Sequence, residues 1–149
     1  MHVRLNANSG NIGHMTQSPA SDINENEIDI SSTTIGVLGG TGEQGRGLAT
    51  RFALAGLSVI IGSRTAERAD EVASEIGHSV KGMTNAHAAQ ASDLVIVAVP
   101  WDGHKELLES LVISLSGKIV VDCVNPLGFD KQGAFRLDVA EGSAAQQAQ

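Results

Sequence analysis

From Thr34 onward, short runs of β-branched and other apolar residues alternate with longer, Ala-rich stretches in which polar positions recur. The apolar runs are Thr34 to Leu38, Leu57 to Ile61, a weaker one at Ser79 to Gly82, Leu94 to Val99, and Lys118 to Asp122. Between them, Glu43 to Ala55, Ala66 to Ile76, Asn85 to Ala91 and Gly103 to Leu115 have the length and composition of helices. The runs are continuous rather than alternating, which predicts strands buried on both faces, as in a parallel sheet between helical layers. Strands separated by helices in this way form βαβ units with right-handed crossovers. The expected fold is therefore α/β, with a doubly wound and mostly parallel sheet occupying residues 34–149.

Residues 1–33 break this pattern. They are polar, rich in Asn, Ser, Asp and Glu, and set Arg4 against Asp22, Glu25, Glu27 and Asp29. Such a segment has too little apolar surface to offset its ordering entropy, so a flexible tail is expected. It reads either as an extension or as sequence preceding a true start at Met15. It has neither the apolar stretch of a secretory signal nor the Arg-rich character of a transit peptide, so the cytoplasm is the expected compartment.

A length of 149 residues predicts one folded domain. Acidic residues outnumber basic ones, 17 to 10, with no basic cluster, which speaks against nucleic acid or anionic membrane as partner. No apolar run reaches the roughly 18 residues of a membrane span. Cys123 is the only cysteine, which excludes an internal disulfide and a cysteine-based zinc site. It reads as a small buried hydrophobe. His78 and His87 lack ligand-like spacing, so no metal site is expected.

Glycine is abundant, at 17 residues, and its placement carries the chemistry. Directly after the first strand comes Gly39-Gly40-Thr41-Gly42-Glu43-Gln44-Gly45, with G-x-G-x-x-G at Gly40, Gly42 and Gly45. In a dinucleotide-binding (Rossmann) turn, the first glycine permits the tight bend and the second lets a pyrophosphate approach the backbone. The third lets the helix pack closely on the strand. The N-terminus of that helix offers free N–H groups and the positive end of its dipole to phosphates. The motif alone is common, but here it follows an apolar strand and opens a helix.

The end of the second strand distinguishes the nicotinamide cofactors. NAD-binding turns place an acid there to bond the ribose 2′-hydroxyl. Here the sequence is Gly62-Ser63-Arg64-Thr65-Ala66-Glu67-Arg68. Ser63 offers a hydroxyl, and Arg64 a planar fork suited to phosphate oxygens. Arg68 stands four residues on, on the same face if both are helical, with Glu67 able to balance one charge. This composition predicts NADP, bound through its 2′-phosphate.

Two further loops belong to the same sheet edge, since ligands bind beyond the carboxyl ends of the strands. The fourth strand runs into Val99-Pro100-Trp101-Asp102-Gly103-His104, where Pro100 ends the strand. Trp101 is read either as a satellite core residue or as a neighbour of the nicotinamide ribose. His104 reads as a surface or helix-start residue. The fifth strand runs into Asp122-Cys123-Val124-Asn125-Pro126-Leu127-Gly128, in which Asn125 could bond a ribose or carboxamide.

With these loops in view, the chain resembles the NADPH-dependent reductases of the deazaflavin coenzyme F420. The resemblance rests on the glycine loop at 39–45, Gly62-Ser63-Arg64 with Arg68, Val99-Pro100-Trp101, and the segment Val121 to Gly128. It extends from about Ile35 to Gln149, with Glu141 to Gln149 resembling the helix after the fifth strand. It implies that Thr41, Gly42, Glu43 and Gln44 line the pyrophosphate and that Ser63, Arg64 and Arg68 hold the 2′-phosphate. Val99, Pro100 and Asn125 would flank the nicotinamide half. It further implies hydride transfer between NADPH and F420, a step that needs aligned rings rather than an acid or base, so no catalytic group is nominated. Family members continue into a sixth strand and a smaller helical domain, which complete the deazaflavin pocket and a dimer contact. The chain is thus expected to be the NADP-binding domain alone, able to form a homodimer. A pyrroline-carboxylate or imine reductase of the same type, or a catalytically silent NADP-binding module, remain alternatives.

Overall fold

The apolar runs pair into one sheet in the computed structural model, which describes residues 30–149. In chain order the elements are β1 (Thr34–Leu38), α1 (Glu43–Leu54), β2 (Ser58–Ser63), α2 (Ala66–Ile76), β3 (Lys81–Thr84) and α3 (Asn85–Gln90). They continue with β4 (Leu94–Val97), α4 (His104–Leu115), β5 (Ile119–Asp122), β6 (Leu127–Asp130), β7 (Gly133–Arg136) and α5 (Ala144–Ala148). The five-stranded sheet has the order β3-β2-β1-β4-β5, and every neighbouring pair is parallel. The chain leaves β3 at one edge and re-enters at β4 on the other side of β1. The switch point of a doubly wound sheet therefore lies between β1 and β4.

Side-chain alternation along the strands feeds two cores. Ile35 and Val37 of β1, with Val59, Ile61 and Ile96, pack against Ala49 and Ala53 of α1 and Ala69, Val72 and Ala73 of α2. On the other face Leu38, Ile60, Val95 and Val97 meet Ala88 and Ala89 of α3 and Leu108 and Leu111 of α4. Alanine and glycine at the contacts bring helix and sheet close together. A Cβ on Gly82 would lie 2.3 Å from the backbone of Ala69 and Asp70 on α2. Among the described residues, no helix is long and apolar enough to cross a membrane. Of the polar tail expected over residues 1–33, residues 1–29 lie outside the described residues.

Several expectations need correction. The fifth strand is not buried on both faces: β5 is an edge strand, and Ile119 is 66% exposed. The segment after it contains an antiparallel hairpin, β6–β7, that hydrophobic patterning did not predict. Each of its strands has four residues, and its turn is set by Asp130 Oδ1 accepting from Gln132 N at 2.7 Å. The helix expected from Glu141 starts at Ala144, because Gly142 adopts φ +106° and Ser143 caps the next turn. The strand runs at 57–61 and 79–82 are displaced toward β2 and β3 as given above.

Candidate functional site

The turn after β1 is glycine-rich for three separate reasons. Gly39 has φ +72°, a left-handed conformation that favours glycine, and its N–H donates to Asn85 Oδ1 at 3.2 Å. Gly40 and Gly45 are sites of close approach. A Cβ on Gly40 would lie 2.6 Å from Ile61 Cβ, and one on Gly45 would lie 2.6 Å from the Gly39 carbonyl oxygen. Gly42 differs from both. Its φ of −79° suits any residue, and a Cβ there would meet only the Gly39 oxygen, at 3.4 Å. The protein's own packing does not require glycine at 42; the missing side chain leaves open space above the turn.

That space faces the start of α1. Gly42 is the N-cap and has no side chain to bond the first turn, whereas Thr65 caps α2 and Thr84 caps α3. Glu43 and Gln44 in this turn are exposed. The first N–H groups of a helix need partners, and an uncapped, exposed N-terminus is a place where an anion satisfies them.

Beside the turn, Thr41 Oγ1 lies 3.5 Å from Ser63 Oγ, joining the glycine loop to the buried last residue of β2. Arg64 follows, exposed, and makes no ion pair among the described residues. It precedes the N-cap Thr65, so it does not share a helical face with Arg68 as the spacing suggested. Arg68 is on the first turn of α2, and its guanidinium pairs with Glu71 at 2.9 Å rather than with Glu67. The three residues thus cluster at one strand end, with Arg64 unengaged and Arg68 held by an exposed carboxylate.

The loop leaving β4 packs directly on the glycine turn. Ala98 N donates to Leu38 O at 3.0 Å, and a Cβ on Gly39 would lie 2.8 Å from Val99 Cγ1. Pro100, at φ −59°, opens a 3₁₀ turn over Trp101–Gly103 that leads into α4. The Trp101 indole stacks on the His104 imidazole, with ring centroids 5.5 Å apart and planes 23° apart. The loop leaving β5 runs alongside, tied by Cys123 N donating to Val97 O at 3.0 Å. Asn125 is exposed there, and its amide donates to Cys123 O at 3.4 Å. The structure therefore brings Gly40 to Gly45, Ser63, Arg64 and Arg68 to the β1–β2 side of the switch point. Val99, Pro100, Trp101 and Asn125 stand on the β4–β5 side.

Sequence reasoning missed two participants. Asn85, the first residue of α3, reaches over to hold Gly39 in its turn. His104 is fully buried rather than on the surface, and hydrogen-bonds Asp122, whose side chain is 5% exposed, at 2.8 Å. Neither residue belongs to a motif, and the pairing with Asp122 joins residues far apart in sequence. Cys123 is half-buried rather than a full core residue. Its thiol is held above its ordinary pKa, first by burial and then by the neighbouring Asp122 carboxylate. Two cavities, of about 580 and 430 Å³, lie away from the glycine turn, at the amino ends of β1 and β2 and beside α3.

The sequence and the fold are similar to those of known proteins. The sequence profile of the family described as NADP oxidoreductase, coenzyme F420-dependent, matches residues 34–126. The chain is 42% identical over 130 residues to the F420-dependent NADP reductase of Methanothermobacter thermautotrophicus, covering 81% of this chain and 56% of that protein. It is 44% identical over 123 residues to the F420-dependent NADP reductase of Methanothermobacter marburgensis, covering 76% of this chain and 55% of that one. A solved structure from Arthrobacter sp. FB24, a candidate F420-dependent NADP reductase, superimposes with a TM-score of 0.63 at 29% identity. It covers 77% of this chain and 56% of its own. The chain thus spans about half the length of the curated relatives it matches. Within that span it is similar in sequence and in fold, and it belongs to the family of coenzyme F420-dependent NADP oxidoreductases.

Proposed function

We propose that the chain binds NADPH at its glycine turn and forms the nucleotide half of a reductase that exchanges hydride between NADPH and the deazaflavin coenzyme F420. The observation that carries the nucleotide reading is Gly42: an unstrained residue with room for a side chain, left bare beside an uncapped helix N-terminus. A pyrophosphate against that turn satisfies the N–H groups of Glu43, Gln44 and Gly45, with Thr41 on its flank. Ser63 and Arg64 meet the 2′-phosphate directly, and Arg68 joins them by exchanging Glu71 for phosphate oxygens. The names of the relatives support F420 as the second substrate.

When bound, the nicotinamide supplies or accepts the hydride. The residues of this chain bind and orient it. Val99 and Pro100 form an apolar wall continuous with the glycine turn, Trp101 extends it, and Asn125 offers an amide from the loop after β5. Alignment of two planar rings is worth several powers of ten in rate without proton transfer. A cytoplasmic location, with an NADPH pool and a reduced Cys123, goes with this reading, as does a small-molecule partner in place of nucleic acid. The division into a tail at 1–33 and an NADP-binding domain at 34–149 is part of the same proposal.

The test is a pair of measurements on the 149-residue chain. Calorimetric titration with NADPH and NADH examines the nucleotide site, and loss of the deazaflavin absorbance under NADPH examines the reaction. NADPH binding without any deazaflavin reduction would leave the chain an NADP-binding module. Absence of NADPH binding would overturn the proposal.

A further inference from the structure

Polar side chains beside β5 form a continuous chain of hydrogen bonds, buried at His104 and Asp122 and reaching the surface at Glu141. Gln147 of α5 donates its amide to the Glu141 carboxylate at 3.3 Å, which turns its oxygen toward His104 Nδ1, at 3.0 Å. The other ring nitrogen, Nε2, donates to Asp122 Oδ2 at 2.8 Å. The second oxygen of the same carboxylate, Oδ1, accepts from Val124 N at 2.9 Å. A carboxylate only accepts, so Asp122 takes its two bonds from His104 Nε2 and from the Val124 backbone, and Gln147 closes the other side of the ring at Nδ1.

His104 is 0% exposed, and the face of its ring carries Trp101. A buried pair of this kind adds little net stability over well-packed apolar residues, because desolvation offsets the attraction between the partners. What it adds is direction. The Asp122 carboxylate sets the imidazole with one oxygen and the start of the β5 loop, one residue before Asn125, with the other. One acid therefore links the loop bearing Trp101 to the loop bearing Asn125.

We infer that His104 is a positioning residue: held by Asp122 and Gln147, it fixes the Trp101 indole and locks the β4 and β5 loops into one rigid wall for the nicotinamide end of the site. This inference rests on the NADPH reading above. It assigns His104 no contact with substrate and no proton to transfer.

The test uses Trp101, the single tryptophan of the chain, as its own reporter. Two variants are compared with the parent. In His104→Gln the amide can still reach Asp122 but cannot stack; the double variant His104→Leu/Asp122→Leu replaces the pair with apolar volume. In the unliganded proteins, acrylamide quenching and anisotropy report how firmly the indole is held. Affinity for 2′,5′-ADP, which has only the adenosine half, is then compared with affinity for NADPH.

Looser and more quenchable Trp101 is expected in both variants, with 2′,5′-ADP affinity kept. The extra affinity that NADPH gains over 2′,5′-ADP should fall about tenfold, the effect of one well-held polar contact. Unchanged quenching and anisotropy, or parallel loss of 2′,5′-ADP and NADPH affinity in folded variants, would overturn the inference. So would loss of cooperative unfolding in both variants, since the pair would then be needed for folding. A parent chain that binds neither nucleotide would defeat the NADPH reading instead, and the quenching measurement would still decide whether His104 holds Trp101.

Discussion

The Arg68 guanidinium lies 2.9 Å from the Glu71 carboxylate, one turn along α2, with both side chains more than half exposed. An exposed pair of this kind is worth about 0.2–1 kcal/mol. A charge-assisted bond to a phosphate contributes about 1.5–3 kcal/mol. A 2′-phosphate therefore outcompetes Glu71, and NADPH should bind at least about tenfold more tightly than NADH. Arg64→Ala and Arg68→Ala should each weaken NADPH and leave NADH unchanged. Glu71→Gln should strengthen NADPH by less than about fivefold, the upper value of the released pair. Equal affinity for the two nucleotides in a titration would sink the assignment.

The glycines of the turn should separate under mutation. Gly42→Val has space for its Cβ and an ordinary backbone, so the domain should keep its melting temperature within a few degrees and lose NADPH binding. Gly45→Ala places a methyl 2.6 Å from the Gly39 carbonyl and 2.8 Å from Gly40 Cα. Neither neighbour is a flexible side chain, so overpacking of about 1–3 kcal/mol should lower the melting temperature by several degrees. Thermal melts and titrations on the same samples check both halves. A folded Gly42→Val protein with undiminished NADPH affinity would refute the role given to the turn.

These contrasts show where the sequence was readable. β1, the turn and α1 were legible because strand, glycines and helix are contiguous, so local spacing carries the geometry. Ser63 and Arg64 were legible for the same reason, as the end of an apolar run. Arg68 was only half legible: its position is local, but its engagement by Glu71 depends on side-chain choices within α2. His104 was illegible because its partners are 18 and 43 residues away, and only the fold brings them together. The β6–β7 hairpin escaped because Gly128 interrupts one short run. Its missing side chain is covered by the Phe135 ring across the ladder, a compensation invisible along a single strand.

Cys123 offers a pH-dependent reporter of Asp122. Burial, reinforced by the Asp122 charge, raises the pKa of the thiol, so less thiolate exists at neutral pH than for an ordinary cysteine. Alkylation by iodoacetamide should be slow at pH 7, and its pH–rate profile should be displaced to the alkaline side of a free thiol's. Asp122→Asn removes the smaller, coulombic cause and should move the profile part of the way back. A profile that Asp122→Asn leaves in place would show that burial alone sets the shift.

Among the described residues, the two edges of the sheet are guarded unequally. At the β3 edge, Lys81 is exposed in the strand itself, and α2 lies almost in backbone contact with Gly82. At the β5 edge the first three strand residues, Ile119, Val120 and Val121, are all exposed. The nearest lysine, Lys118, does not guard it: its ammonium turns back to the carbonyls of Gln90 and Ser92 at the end of α3. Exposed Ile113 on α4 and Phe129 on the hairpin, 93% and 77% accessible, add apolar surface. Unpaired edges and exposed apolar patches favour pairing with another chain. The 149-residue chain should therefore self-associate as its concentration rises, and sedimentation velocity should show an average mass above 15.4 kDa. Val120→Lys with Phe129→Ser should return it toward monomer, with the melting temperature changed little, because substitutions at exposed sites typically shift stability by about 0.5 kcal/mol or less. A parent protein that sediments as a monomer at every concentration would show that this edge is protected by something other than charge or cover.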